Sequence, residues 1–297
     1  GDQPYSVGNI WNHQHWERYL AKMSKDPGGR LAIHLGDTLG AWGTCADDYL
    51  AWIYQSFMRY PHALVYIPGD NEWTDCHKTF EPLNPLDRLK FIQQNYFSNP
   101  AQSLGQHPLT LVSQANQPNG LPEHVRWTVQ DVVFGTLHVV GSGNGLAPWT
   151  NGLEDREARM AEFTTRLRAV LAWMDAIFAF AHEHDAPVVV LALHADMWEQ
   201  SRTTKEIVGY TRIVERLAYH AARFNKPILL LTADSHQYAV RKPFVHNTRY
   251  AIAKDMPHVT QLVVPGGNYV SMSYVRVEIT PESDEPFHFT VVTPCIF

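Results

Sequence analysis

Four short apolar runs close on an aspartate or a histidine: RLAIHLGD (30–37), HALVYIPGD (62–70), PVVVLALH (187–194) and PILLLTADSH (227–236). Runs of this length, bounded by Gly and Pro, read as buried strands rather than helices. Segments of helical period lie between them. Apolar strands alternating with helices form an α/β fold in which helices cover the faces of a largely parallel sheet. Ligands in such sheets bind beyond the carboxyl ends of the strands. The polar residue that ends each run is therefore delivered to one rim.

Helices are predicted over 10–24, stopped by Pro27-Gly28-Gly29, over 47–60, and over 84–97. For the second, Thr44 is the candidate N-cap, with Asp47 three residues on and Pro61 beyond its end. Residues 98–123, rich in Pro, Gln, Asn and Gly, read as a long insertion or lid. VRWTVQDVVFGTLHVVG follows as a hairpin turning near Gln130-Asp131. Asn151 and Glu154 make a candidate capping box for a helix over 154–184. Its apolar positions Met160, Phe163, Leu167, Val170, Met174 and Ile177 keep a helical period and belong to a core. Another helix is expected over 209–224, and 259–297 reads as a strand-rich tail belonging to the second sheet. No linker, repeat or heptad divides the chain, so a single domain over 1–297 is expected. The predicted architecture is a four-layer α/β/β/α sandwich of two mixed sheets flanked by helices.

Composition removes several function classes. A hydrophobic fraction of 45% with 18% charged residues belongs to a chain with a full core. No run approaches the ~18 apolar residues of a membrane span. The net charge of −6 comes without a basic cluster, so no nucleic-acid partner is expected. The three cysteines are too few for a disulfide scaffold. Cys45 and Cys76 each follow a Gly-Asp pair. If those loops share one sheet edge, a bridge between them is feasible; two unpaired thiols are the other reading. A bridge would imply export, and hence a periplasmic or secreted protein.

Five strand ends offer candidate ligands: Asp2, Asp37, Asp70 with Asn71, His194, and Asp234 with His236. Carboxylates crowded at one rim repel and raise one another's pKa unless a cation neutralises them. Oxygen donors mixed with imidazole suit Mn, Fe, Zn or Mg. For any single residue the alternative is ordinary: Gly-Asp is a common turn signal, His194 could be a satisfied core histidine, and Asp234 could cap a turn. Trp73, Trp149 and Trp198 could line a cleft or simply pack. Arg202 and Arg241 read as solvated rather than phosphate-binding, and Asn144 as a turn residue.

The order Gly1-Asp2-Gln3-Pro4-Tyr5, Gly36-Asp37, Gly69-Asp70-Asn71-Glu72, His194 and Ala233-Asp234-Ser235-His236 resembles the calcineurin-like metallophosphoesterases, which include the purple acid phosphatases. PGDNEWTDC looks like a divergent bacterial branch of that superfamily. The resemblance implies two divalent or trivalent ions (Fe, Mn or Zn) and a small phosphoester substrate, attacked by a hydroxide held between them. It implies that Asp2 and His236 ligate the first ion, Asp70 and His194 the second, and that Asp37 bridges both. Asp234 replaces a histidine of the last motif. Asp37, Asn71 and His194 take the catalytic positions. Pro4 stands where the pattern has a histidine, with Tyr5 as a candidate phenolate ligand nearby. Asn71 stands where many members have a leaving-group acid, which an amide cannot be; His34, His77 and His13 are the substitutes available. Asp2 is expected to cap a central strand lying upstream of Gly1. The alternative to an enzyme is a catalytically degenerate member serving as an extracellular binding or structural protein.

Overall fold

The apolar runs become strands β1 (Leu31–His34), β2 (Ala63–Tyr66), β6 (Val189–Ala192) and β7 (Ile228–Thr232), and the last three are buried throughout. The computed structural model describes residues 1–4, 10–40, 43–246, 249–267 and 272–294. Helices α1 (Ile10–Met23), α2 (Asp47–Met58) and α3 (Pro85–Tyr96) follow the predicted spans closely. α4 (Arg156–Glu183) and α5 (Thr204–Phe224) are the two long helices of the second half.

Seven strands form one mixed sheet, in the order β3 (Val112–Ser113), β4 (Val125–Val129), β5 (Val132–Thr136), β6, β7, β9 (Val259–Val263), β8 (Ala239–Arg241). β5, β6, β7 and β9 run parallel, and the outer pairings are antiparallel. β1 and β2 pair in parallel, and β10 (Tyr274–Ile279) pairs antiparallel with β11 (Phe287–Val292). The second strand layer is thus in two pieces. The strand-rich tail is divided too, because β9 joins the large sheet and the β10–β11 hairpin does not.

Three apolar interfaces stack these elements. α4 and α5 pack Met174, Ile177, Tyr210 and Leu217 onto one face of the large sheet. Its other face meets the second strand layer through Val190, Leu229 and Leu231 against Leu35, Ile67, Val277 and Phe289. Beyond that layer Trp16, Ile53, Phe57 and Ile92 close the outside with Leu64 and Tyr66. The chain is an α/β sandwich. Each large apolar side chain buried in these interfaces contributes about 1.5–3 kcal/mol.

Some local expectations are corrected. Thr44 is not the cap of α2: that position is Ala46, whose N–H is taken by Thr44 Oγ1 at 3.2 Å. α4 is capped by Asp155, which accepts from Ala158 N–H, not by an Asn151–Glu154 box. Glu154 instead accepts from Trp149 N–H and Arg159. Within α4, Met160 is exposed and not part of the core, while Arg159 and Arg166 are buried. Segment 98–123, expected as an insertion or lid, meets the edge of β2. Leu104 exchanges backbone hydrogen bonds with Leu64 and covers the edge of β2, and the segment then runs on into β3. The hairpin turn falls as predicted at Gln130-Asp131, both left-handed.

Candidate metal centre

Each strand end carries its polar residue a short step past the last strand position: Asp37 after β1, Asp70 after β2, His194 after β6, Asp234 after β7. The β1 and β2 loops touch. A Cβ on Gly36 would lie 2.3 Å from Gly69 N, and one on Gly69 would lie 2.1 Å from Asp37 Oδ1. Only glycines allow this approach, which is the physical content of the Gly-Asp pairs. Asp2 is tied alongside: its N–H donates to Gly36 O at 2.8 Å, and its carbonyl accepts from Gly267 N–H at 2.9 Å.

Asp2, Asp37, Asp234 and His236 all have left-handed backbones, with φ between 55° and 68°. Such conformations cost non-glycine residues on the order of 1–3 kcal/mol each and gather at functional sites. Here four of them aim side chains at one rim.

Two groups result. Asp2, Asp37 and His194 offer ligand atoms within 4.8 Å of one another, and so do Asp70, His194 and Asp234. His194 Nε2 lies 3.0 Å from Asp70 Oδ1, 3.4 Å from Asp37 Oδ1 and 3.8 Å from Asp234 Oδ1. Its Nδ1–H donates to Leu35 O at 2.6 Å, which fixes the ring and turns Nε2 into the rim. The two groups share His194, and Asp37 Oδ1 of the first lies 3.4 Å from the shared nitrogen.

The electrostatics call for positive charge. Burial pushes the Asp37 carboxyl well up, and the nearby Asp70, Glu72 and Asp2 add to this against His194. Burial and the charge of Asp70 push Asp234 up to about 7, although Arg202 and His194 oppose it. Burial disfavours charge on His194, but the facing carboxylates override it and raise its pKa. Burial also disfavours the Asp70 anion, yet the His194 hydrogen bond holds it down at about 2. The Arg202 guanidinium on Asp234 supplies part of the positive charge that this rim calls for. Hard oxygen donors around one imidazole fit a divalent cation by charge and by donor type.

Five predicted ligands therefore converge: Asp2, Asp37, Asp70, His194 and Asp234. His236 does not join either group. Its Nε2 lies 3.3 Å from Asp2 Oδ1 and its side chain is 39% exposed. Asn71 is buried: Nδ2 donates to Asp37 Oδ2 at 2.7 Å and to Leu39 O at 3.0 Å, and its N–H donates to Asp37 Oδ1. It orients Asp37. Tyr5 lies outside the described residues.

The substitute acids fare poorly. His34 is spent on Gln3 O and Gly36 N–H, and buried His77 accepts from Thr150 N–H. His13 stacks on Trp52, away from the rim. Trp73, Trp149 and Trp198 are core.

Sequence reasoning missed other contributors. Buried Glu72 accepts from the backbone N–H groups of Asp37 and Gly69 and from Tyr66 OH, joining both loops. Arg202 is not solvated: it is buried and clamps Asp234 Oδ2, while its Nε donates to Asp196 O at 2.7 Å. Arg241 pairs with buried Asp196 at 2.8 Å. Gly141 presses on the rim, since a Cβ there would lie 2.6 Å from Asp70 Oδ2 and 2.8 Å from Asp234 Oδ1. Only Glu72 carried a sequence signal, its place in the Gly-Asp-Asn-Glu motif. Cys45 and Cys76 form a disulfide with Cα atoms 5.9 Å apart, tying the β1 loop to the β2 loop. Among the described residues, no helix is long and apolar enough to cross a membrane.

In comparisons with known proteins, no protein-family model and no curated protein matches the chain.

Proposed function

We propose that this chain is a metal-dependent phosphoesterase that hydrolyses small phosphate mono- or diesters at a centre of two ions. One observation carries the reading: three strand-end loops and the Asp2 segment pool oxygen donors around His194, from a fourth, in two overlapping ligand groups. The resemblance of the motif order to calcineurin-like metallophosphoesterases, carried by the same residues, supports it.

Asp2, Asp37 and His194 would hold one ion, and Asp70, Asp234 and a bridging Asp37 the other. Bound ions supply Lewis acidity toward the phosphoryl oxygens and a lowered pKa for water. The chain supplies the rest. Asn71 donates to the Asp37 carboxylate and the Glu72 carboxylate accepts from the Asp37 N–H, which together hold Asp37 in one orientation. Arg202 fixes Asp234 so that only Oδ1 faces the rim. The disulfide keeps the two carboxylate loops together. A disulfide survives in oxidising compartments, which supports a periplasmic or secreted location.

Native protein is expected to contain Mn, Fe or Zn, to hydrolyse aryl phosphoesters, and to lose that activity to chelator. Asp37→Asn should lose both metal and turnover. Protein that purifies without metal and stays inactive after Mn, Fe or Zn is added would overturn the reading. A second reading is favoured by the engagement of Asn71 and the burial of His34 and His77. It is a degenerate binding protein that keeps metal but hydrolyses nothing. Full metal content with no turnover across a panel of mono- and diesters selects it.

A further inference from the structure

Beside the metal centre, a second polar group lies outside both ligand sets. Lys78 closes the short helical turn Cys76–Lys78. Its Nζ donates to Asp75 Oδ2 at 2.5 Å and to Ser142 Oγ at 3.3 Å, and Ser142 Oγ donates to Asp75 Oδ1 at 2.8 Å. These three side chains close a ring of hydrogen bonds.

The ring abuts the rim on two sides. Ser142 directly follows Gly141, where an added Cβ would collide with the Asp70 and Asp234 carboxylates. Asp75 N–H donates to Asp70 O at 2.9 Å. The charge of Lys78 reaches Asp70 and helps to hold its carboxyl down. Asp75 is buried, while the Lys78 side chain is 36% exposed. Buried partners therefore hold an ammonium that still opens to solvent. Asp75 and Ser142 account for two of its three hydrogens. Among the described residues no other side chain takes the third, which faces a ligand in the phosphoesterase reading.

We propose that Lys78 donates the proton that the leaving oxygen needs, a role that Asn71, His34 and His77 cannot fill. This rests on the phosphoesterase reading and adds the missing acid. In the step, a water oxygen forms its bond to phosphorus as the bond from phosphorus to the leaving oxygen breaks. The Lys78 ammonium passes its free proton to that oxygen, so the alcohol departs neutral. The proton released by the attacking water goes to solvent, and solvent restores the ammonium.

The test compares two leaving groups on the metal-loaded full chain: 2,4-dinitrophenyl phosphate, whose phenolate departs without a proton, and phenyl phosphate, which needs one. General acids typically contribute about 100-fold or more. Lys78→Met should lower kcat for the phenyl ester by about that factor, with little change for the dinitrophenyl ester and unchanged metal content. Lys78→Arg, which keeps the charge but does not release its proton, should not restore the phenyl ester rate. Equal slowing of both esters, a rise in KM alone, or loss of metal from Lys78→Met overturns the proposal. Wild-type protein that hydrolyses neither ester overturns the phosphoesterase reading instead.

Discussion

The guanidinium of Arg202 is bound to Asp234 Oδ2, which leaves Oδ1 of the same carboxylate 3.8 Å from His194. An internal cation thus occupies one side of a carboxylate whose other side faces the candidate metal centre. Removing one partner of a buried ion pair strands the other, at a cost of about 3–5 kcal/mol. Arg202→Met should therefore be strongly destabilised when metal is stripped. A bound cation would take over part of the lost neutralisation. Thermal unfolding with chelator and with added Mn should show a larger metal-induced rise in Tm for the variant than for wild type. Equal rises would mean that Arg202 and the metal are electrostatically independent.

Gly141 gives a steric prediction. A methyl group there would sit 2.6 Å from Asp70 Oδ2 and 2.8 Å from Asp234 Oδ1, so both carboxylates would have to move. The three atoms nearest to that methyl all belong to Asp70 and Asp234. Gly141→Ala is expected to lose the ion of the Asp70–Asp234 group and to retain the other. Elemental analysis should then give about half the wild-type metal per chain. Retention of full metal would show that the carboxylates can give way.

What was legible in the sequence follows from which contacts are local. Asp37, Asp70, His194 and Asp234 could be found because a strand end fixes the direction of the residue after it, and α/β topology does the assembly. The partners Arg202, Gly141 and Asp75 could not. Arg202 meets Asp234 across 32 positions and Gly141 meets Asp70 across 71, pairings made by the tertiary fold alone. His236, four residues past β7 and itself left-handed, lies 3.3 Å from Asp2 Oδ1 and so meets the first group at its edge, through Asp2. The caps went astray for a related reason. Thr44 and Glu154 had the right chemistry, but neighbouring backbone N–H groups took their oxygens first.

The Cys45–Cys76 bridge closes a loop that contains β1's successor helix, β2 and Asp70, with a sequence separation of 31. By loop-closure entropy, such a cross-link contributes about 3–4 kcal/mol. It also ties the loop after Asp37 to the loop after Asp70. Cys45→Ala/Cys76→Ala should lower Tm and weaken metal affinity together, because the two carboxylates lose a shared restraint. Calorimetric titration with Zn checks the second effect. Lower Tm with unchanged affinity would confine the bridge to global stability.

Asp26 supplies the clearest pH dependence away from the metal centre. It follows α1 and accepts from Tyr274 OH at 2.7 Å and from Arg276 Nη2 at 2.7 Å, so it anchors the β10–β11 hairpin to the outer layer. The Arg276 hydrogen bonds hold its carboxyl down at about 2, despite partial desolvation. An unfolded aspartate titrates near ~3.9. The folded pKa is depressed, so the contribution is fully present above about pH 4 and is lost as pH falls through about 2. Asp26→Asn removes the charge at every pH and should cost about 1–3 kcal/mol at pH 7. The gap between wild type and variant in urea unfolding should shrink as pH falls from about 4 to 2. A gap that stays constant over that range would show that the carboxylate charge is not what anchors the hairpin.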